Sequence, residues 1–304
     1  MKRKPHLGRI LKGIGLMLFI VAGVMWLIQS LPALHADWVH KSTNELYYGS
    51  AFSGFPMTHA YADGEEAEQE QPEISEDFLE LYAANPDVVG WLRAGESIDD
   101  PVTARDNIYY LTHDFYGDED SNGTLFMNAA NTLFPRDDVI LIHGHNMRSG
   151  AMFGKLTRFR DYEYMAQYPL IMFRTIYDAE EVYYTPVFAF DASMVEDDDE
   201  YFDITPINFE DDVVSEEEQT TQSTADPSDT SAATRHSTAY REYLSALEQV
   251  SLWQAAVDVT EDDSLLMLVT CSYEQEDGRF MLVCRALRED ETPESITALY
   301  GITQ

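Results

Sequence analysis

Eight short apolar runs lie between residues 88 and 287, and Gly, Pro, Asn or Asp bounds each of them. β-Branched and aromatic residues dominate these runs, which is typical of strands. Because few helical stretches separate them, the pattern predicts a mostly β fold with flanking helices, as a barrel or a sandwich. The predicted strands are VVGWLRA, PVTA, TLFMN, DVILIHG, PLIMFRT, EVYYTPVFAFDA, SLLMLVT and RFMLVCRAL.

Two segments carry a helical period instead. The run SEDFLELYAANP offers Ser75 as an N-cap and stops before Pro86, so it predicts a short amphipathic helix. A second helix is predicted just before the strand that ends at Cys271. Its apolar positions at helical spacing are Tyr240, Tyr243, Leu244, Leu247 and Val250.

The N-terminus reads as an export signal. Basic residues in a tail at 1–9 precede an apolar run, and we expect residues 10–34 to form an uncleaved membrane anchor. The tail then lies in the cytoplasm and the rest of the chain outside. A cleaved signal peptide is the alternative, because the LHA at residues 34–36 weakly resembles a cleavage site.

Two further segments lack a clear period. Residues 35–74 mix aromatic, Gly and acidic residues, which favours a stalk or linker before a catalytic domain at 75–304. Within that domain, residues at about 196–234 contain no Lys or Arg and end in a Ser/Thr-rich tail. This composition predicts an acidic low-complexity insertion that cannot bury a core.

Charge excludes one class of partner. The chain has 55 acidic and 19 basic residues, for a formal net charge of -36. Nucleic-acid binding through counterion release needs the opposite sign, so no DNA or RNA partner is expected.

The only two cysteines are Cys271 and Cys284. If 265–271 and 279–287 form a hairpin, Arg279 lies opposite Cys271, and Cys284 lies roughly 16 Å further along at ~3.3 Å per residue, too far for a disulfide. Cys284 is therefore predicted to be a buried apolar residue, and Cys271, before a polar turn, a candidate nucleophile. Arg279 either favours its thiolate or balances the acidic residues of the turn.

Such a nucleophile needs an imidazole, and the informative histidines are His143 and His145. His145 follows an apolar strand and a Gly, where the chain turns into NMRSG. The HxH spacing also suggests zinc, although no third ligand is apparent.

Several motifs occur in the order found in class B sortases, membrane-anchored cysteine transpeptidases of Gram-positive bacteria. They are NPDVVGWLRAGESIDDPV, DNIYYLTHDF, GTLFMN, HGHNMRSGAMFGKL and VTCSYEQEDGRFMLV. The resemblance covers about residues 75–304 and implies an eight-stranded sortase-type β-barrel with N-terminal helices and a helix before the cysteine strand. It also implies catalytic roles for Cys271, His145 and Arg279, with no cofactor or metal.

By the same resemblance, the enzyme cleaves a C-terminal sorting motif of exported proteins through a thioacyl-enzyme. It then transfers the acyl group to an amine of the cell wall or of a pilin. The implied substrate-groove positions, where His143 and Val269 depart from the usual Tyr and Ser, are Asn107, Leu111, His143, Val269, Thr270 and Ser272. An exported cysteine hydrolase and a non-catalytic surface module are the alternatives.

Overall fold

A computed structural model describes residues 34–48, 72–193, 238–271 and 278–301, together with Met17 and Val21. Within these ranges, no helix has both the length and the apolar character needed to cross a membrane. The predicted anchor at 10–34 lies almost entirely outside the described residues. The predicted insertion at 196–234 and residues 49–71 of the predicted stalk lie wholly outside them.

The eight strands close into a barrel, which confirms the predicted β-rich fold. Around the barrel the order is β1, β2, β3, β4, β7, β8, β6 and β5, and β5 pairs with β1. Among the pairs of neighbouring strands, β2–β3 and β4–β7 are parallel, and the other pairs are antiparallel. The strands are β1 (Val88–Ala94), β2 (Ile98–Thr103), β3 (Leu125–Met127), β4 (Val139–His143), β5 (Ile171–Thr175), β6 (Tyr183–Ser193), β7 (Leu265–Cys271) and β8 (Gly278–Ala286).

Alternate residues of these strands fill the barrel interior, as the two-residue period of a strand requires. From β7 and β8 the interior side chains are Leu266, Leu268, Phe280, Leu282 and Cys284. The intervening residues, which include Met267, Val269, Met281 and Val283, point outward and pack in a second apolar cluster. The outer face of β4, β7 and β8 is therefore buried over most of its length.

Helix α4 (Thr238–Val250) provides the cover for that outer face. Tyr240, Leu244 and Leu247 are buried in the second cluster, which confirms the predicted helix before the cysteine strand. Val250, also predicted on the apolar face, is exposed at the end of the helix. At the far ends of β4 and β7 this face carries the partly buried polar residues His143 and Cys271.

The short helix predicted after Ser75 begins as a 3₁₀ turn at Glu76–Phe78 and continues as α2 (Leu79–Ala84). Ser75 makes no side-chain capping bond, because its hydroxyl accepts a hydrogen bond from Arg174. Two further short helices are α3 (Tyr162–Gln167) and α5 (Pro293–Leu299), and 3₁₀ turns lie at Tyr109–Leu111 and Leu156–Arg160.

Residues 34–48 are helical (α1) and pack against the barrel, so the stalk prediction is wrong for this part of 35–74. The buried positions Ala36, Val39, Thr43 and Tyr47 recur every three or four residues. Tyr47 stacks on the buried Trp91 of β1, with ring centroids 4.3 Å apart. The segment therefore has a helical period, but this period is not apparent from hydrophobicity alone because two of its buried positions are Thr43 and Tyr47.

Candidate active site

Cys271 and Arg279 lie opposite each other at the open end of the β7–β8 hairpin, as the sequence predicts. Cys284 instead pairs with Leu266 and is completely buried, and both thiols are free. Because residues two apart share a face of a strand, Cys271 and Arg279 continue the outward-facing rows of Val269 and Met281. They lie just beyond the part of this face that α4 covers.

His145 reaches the same place from β4, which runs parallel to β7. His143 of β4 pairs with Val269, and the Gly144 N–H donates to the Val269 carbonyl. The Thr270 hydroxyl donates to the Gly144 carbonyl at 2.8 Å, so both ends of this peptide segment are fixed to β7. Parallel pairing of two strands that end together therefore places His145 beside Cys271.

Gly144 is required by close packing. A Cβ at this position would lie 2.4 Å from Leu125 Cδ2 and 2.8 Å from Phe153 Cδ2, both in the barrel core. Phe153 in turn donates its backbone N–H to the His145 carbonyl. The glycine thus lets the chain cross the end of the core before His145.

The His145 imidazole has two partners. Its Nε2 donates to the Leu111 carbonyl at 2.8 Å, which leaves Nδ1 for the Cys271 side chain. The hydrogen bond to Cys271 and the bond to the Leu111 carbonyl raise the pKa of His145, against the effect of burial. Both partners therefore favour the imidazolium.

The same contact acts in the opposite direction on the thiol. The hydrogen bond from His145 lowers the pKa of Cys271, and the positive charges of Arg279 and His145 add to this effect against burial. A lowered thiol pKa and a raised imidazole pKa together favour a thiolate–imidazolium pair, which is the reactive form of a nucleophilic cysteine. Because the two groups interact, their apparent pKa values belong to the pair.

His143 differs from His145 in its protonation. Burial lowers the pKa of His143 to about 4, and the charge of Arg279 acts in the same direction. Its Nε2 accepts a hydrogen bond from the Asn128 side chain at 3.1 Å, and its ring lies 5.1 Å from that of Phe126. His143 is therefore a neutral group on the outer face, close to Arg279.

The other predicted groove residues fall into different positions. Asn107 accepts from the Ala129 N–H at 2.7 Å, and Leu111 provides the carbonyl that holds His145. Thr270 is buried against Gly144, and Val269 is buried in the cluster with α4. Ser272 lies outside the described residues.

Two asparagines near the site were missed by the sequence analysis. Asn146 follows His145 directly and donates to the Cys271 carbonyl at 2.8 Å. Asn128 follows β3 and holds His143. The position of Asn146 in the HGHN motif was a usable signal, whereas nothing in the local pattern around Asn128 distinguished it from a turn residue.

The two histidines of the HxH spacing do not converge on one point. Their Nε2 atoms bond to Asn128 and to the Leu111 carbonyl, respectively. Among the described residues, no group of three or more His, Cys, Asp or Glu side chains could hold a metal ion.

Curated relatives with this sequence pattern are sortases. The chain is 26% identical over 218 residues to sortase B of Listeria monocytogenes, across 69% of this chain and 74% of the relative. It is 22% identical over 222 residues to sortase B of Staphylococcus aureus, across 72% and 78%. No protein-family model matches the chain.

Solved structures show the same fold. A crystal structure of sortase B from Bacillus anthracis matches with a TM-score of 0.59 and 21% identity, over 85% of this chain and 99% of that one. In sequence and in fold, the chain is therefore similar to the class B sortases, as its motifs indicate.

Proposed function

We propose that this chain cleaves a C-terminal sorting motif of exported proteins and transfers the new carboxyl end to an amine of the cell wall or of a pilin. The observation that carries the proposal is the meeting of three groups at one end of the barrel: the parallel β4–β7 pair brings His145 to Cys271, and Arg279 lies opposite the cysteine. Among the described residues, neither Cys271 nor His145 is fully buried, so a peptide can reach the pair.

In the first half-reaction the Cys271 thiolate attacks the scissile carbonyl and forms a tetrahedral oxyanion. The guanidinium of Arg279, across the hairpin, stabilises the negative charge that develops there. The C–N bond then breaks, His145 gives its proton to the departing amine, and a thioester on Cys271 remains.

In the second half-reaction an acceptor amine attacks the thioester. Neutral His145 takes a proton from the amine as the new amide bond forms and Cys271 leaves as thiolate. The pair returns to its starting state, so no cofactor is consumed. Water in place of the amine gives hydrolysis instead.

The location follows from the N-terminal sequence. Residues 10–34 provide the proposed single-pass anchor, with residues 1–9 in the cytoplasm and the catalytic domain outside. We extend the proposed catalytic domain from 75–304 to include α1, because α1 is packed on the barrel. The barrel is then held at the end of the anchor.

The test is to incubate the full chain with a panel of sorting-motif peptides and a series of amine acceptors, and to identify products by mass spectrometry. We expect a thioacyl adduct on Cys271 and a peptide joined to the amine. Hydrolysis alone, even at high acceptor concentration, would establish the cysteine-hydrolase alternative instead.

Two variants control this experiment. Cys271→Ala should give neither product, and a variant with full biological activity would favour the non-catalytic surface module. Arg279→Lys keeps the charge but not the planar donor array, so kcat/KM should fall about 100-fold. An unchanged kcat/KM would remove Arg279 from the mechanism.

A further inference from the structure

Asn146 lies where the chain leaves β4, and its side chain is bonded to the main chain of the candidate nucleophile. Its Nδ2 donates to the Cys271 carbonyl oxygen at 2.8 Å, although the two residues are 125 positions apart. Cys271 is the last residue of β7. The hydrogen bond therefore ties the loop after His145 to the end of the cysteine strand.

This bond extends the parallel pairing of β4 and β7 by one step. In a parallel pair the backbone hydrogen bonds recur at every second residue along each strand. The Gly144 N–H donates to the Val269 carbonyl at 3.2 Å, so a regular ladder would next place the N–H of residue 146 opposite the Cys271 carbonyl. At that carbonyl the donor is the side-chain amide of Asn146, which is chemically similar to a peptide N–H.

A side chain can replace the strand here because the main chain turns. Met147 and Phe153 both donate their backbone N–H to the His145 carbonyl, at 3.1 and 3.0 Å. These two bonds turn the chain directly after His145 and end the backbone ladder. The Asn146 side chain then reaches the carbonyl of Cys271, so β7 stays tied to the β4 segment up to the cysteine itself.

Asn146 is itself held in place by the loop. It pairs with Met152 in an isolated antiparallel bridge. Met152 has a φ of 50°, in the left-handed region that is uncommon for residues other than glycine and persists only where the surrounding structure imposes it. Phe153, the next residue, is fully buried in the barrel core. The main chain that carries the amide is therefore fixed before any substrate binds.

The tie to Cys271 matters most once the thioester has formed. In the free protein the thiolate and the imidazolium attract each other and help to hold Cys271 beside His145. The sulfur of a thioester carries no such negative charge, so this attraction is lost on acylation. The cysteine is then held near His145 by its main chain, through the bonds of Gly144 and Asn146 to β7.

We propose that Asn146 is a positioning residue, which holds the main chain of Cys271 so that the sulfur, free or acylated, stays within reach of His145. Asn146 contacts no reacting atom and acts through Cys271. For its effect on the thioester, this inference rests on the proposed transpeptidase function. In that step the amine attacks the thioester carbon, His145 takes the proton, the C–S bond breaks and Cys271 leaves as thiolate.

The first experiment measures Cys271 without any substrate. The rate of alkylation by iodoacetamide is followed against pH in the full chain, for the wild type and three variants. Asn146→Leu keeps the shape but loses the donor, Asn146→Gln keeps the amide on a longer side chain, and Ser149→Ala is the control at an exposed position of the same loop. The charged groups that act on Cys271 are His145 and Arg279, and no variant changes either.

We expect the profile of Asn146→Leu to move to higher pH, because a cysteine that can move away from His145 loses part of the stabilisation of its thiolate. Asn146→Gln should move less, and Ser149→Ala should match the wild type. Urea denaturation and the absence of label on Cys284 show that each variant is folded. If Asn146→Leu does not fold, the comparison of Asn146→Gln with the wild type decides the question.

The second experiment measures transfer, with a sorting-motif peptide and an amine that the wild type uses. In Asn146→Leu we expect kcat to fall by about 10- to 100-fold and the KM of the peptide to change by less than about twofold, because a misplaced sulfur slows the reaction without weakening substrate binding. In single-turnover measurements, the aminolysis of the isolated thioacyl-enzyme should slow more than its formation. Asn146→Gln should recover part of both rates.

The possible failures are distinct. An alkylation profile and a kcat that match the wild type in Asn146→Leu would overturn the positioning role. An equal fall of kcat in Asn146→Leu and Asn146→Gln with unchanged alkylation profiles would also overturn it, since a merely destabilised loop behaves in this way. If the profiles shift as expected but the wild type transfers no peptide to any amine, the positioning of Cys271 stands. In that case its effect on the thioester and the transpeptidase function both fail.

Discussion

At the scale of single residues, Cys271 and Cys284 show how position determines the chemistry of one side-chain type. Both lie in the same hairpin, but Cys284 faces the barrel interior and burial raises its thiol pKa. Cys271 faces outward, where the hydrogen bond from His145 lowers its pKa. The face of the strand on which each cysteine lies therefore decides whether its thiol is buried and inert or is a candidate nucleophile.

The coupling between Cys271 and His145 predicts a pH profile. In His145→Gln the apparent pKa of Cys271 should rise, because the hydrogen bond and the imidazolium charge are lost. At a pH below the pKa, each unit by which the pKa of Cys271 rises lowers the thiolate fraction about tenfold. The alkylation rate with iodoacetamide, measured against pH by mass spectrometry, should shift to higher pH accordingly.

Cys284 provides an internal control for this measurement, since it is completely buried and should stay unlabelled in the native protein. An alkylation profile that is the same in the wild type and in His145→Gln would show that the two side chains are not coupled.

At the scale of elements, the parallel β4–β7 pair assembles the site. Each strand ends in a polar residue, and pairing in register places the two ends together. Close packing at Gly144 then determines where His145 leaves the strand. The position of the His145 side chain thus depends on the absence of a side chain at Gly144, one residue before it.

Gly144→Ala tests this dependence. The added methyl group meets Leu125 and Phe153 in the barrel core, so we expect a loss of about 1–3 kcal/mol in the free energy of unfolding, together with displacement of His145 and loss of activity. Urea denaturation and peptide cleavage are the measurements. Ser149→Ala, at an exposed position in the same loop, should change the stability by less than about 0.5 kcal/mol. Equal stability of the wild type and Gly144→Ala would contradict the packing argument.

Helix α1 is held to the barrel partly by histidine–carboxylate contacts. His35 lies 2.8 Å from Asp114, and His40 lies 2.7 Å from Asp100. The hydrogen bond to Asp100 raises the pKa of His40, against burial, and the charges of Asp100, Asp99 and Asp37 add to it. The His40–Asp100 contact therefore stabilises the folded state when His40 is protonated.

This pair gives a pH dependence with a defined sign. Folding raises the pKa of His40. The contribution of His40 to the free energy of unfolding is therefore complete below its pKa in the unfolded chain, about 6.5, and is lost as pH rises through its pKa in the folded protein. The difference in unfolding free energy between the wild type and His40→Gln should therefore be larger at pH 6 than at pH 8.5, by urea denaturation. The exposed change Glu45→Gln in the same helix should show no such difference between the two pH values. An equal effect of His40→Gln at both pH values would exclude the protonated pair.

At the scale of the whole molecule, the chain combines a closed eight-stranded barrel with a formal net charge of -36. Residues 196–234 contribute 14 of the 55 acidic residues and no Lys or Arg. Like charges at this density repel each other and oppose the compact state. Salt screens that repulsion.

We therefore expect the thermal midpoint of the full chain to rise between about 20 mM and about 200 mM NaCl, as the screening length shortens. Deleting residues 196–234 should reduce the rise, because a quarter of the acidic residues is removed. Scanning calorimetry of both proteins across the salt series makes the comparison. The same salt response in the two proteins would show that this segment does not add to the repulsion.

Much of the fold could be predicted because its signals are local. Each of the eight strands has an apolar run bounded by turn residues, and the hairpin with its Cys271–Arg279 register follows from the chain itself. Helix α1 could not be recognised, since Tyr47 and Thr43 are buried only through their contacts with the barrel. For the same reason Val269, predicted in the groove, is instead buried under α4.

The sequence by itself determined the strands, the hairpin and the residue types of the site, because periodicity and turn chemistry act between neighbours in the chain. Only the tertiary structure decided which of these residues meet. His145 and Cys271 are 126 positions apart, and the parallel pairing of β4 with β7 brings them into contact. Burial and charge at that contact then set their protonation, and neither property exists before the barrel has closed.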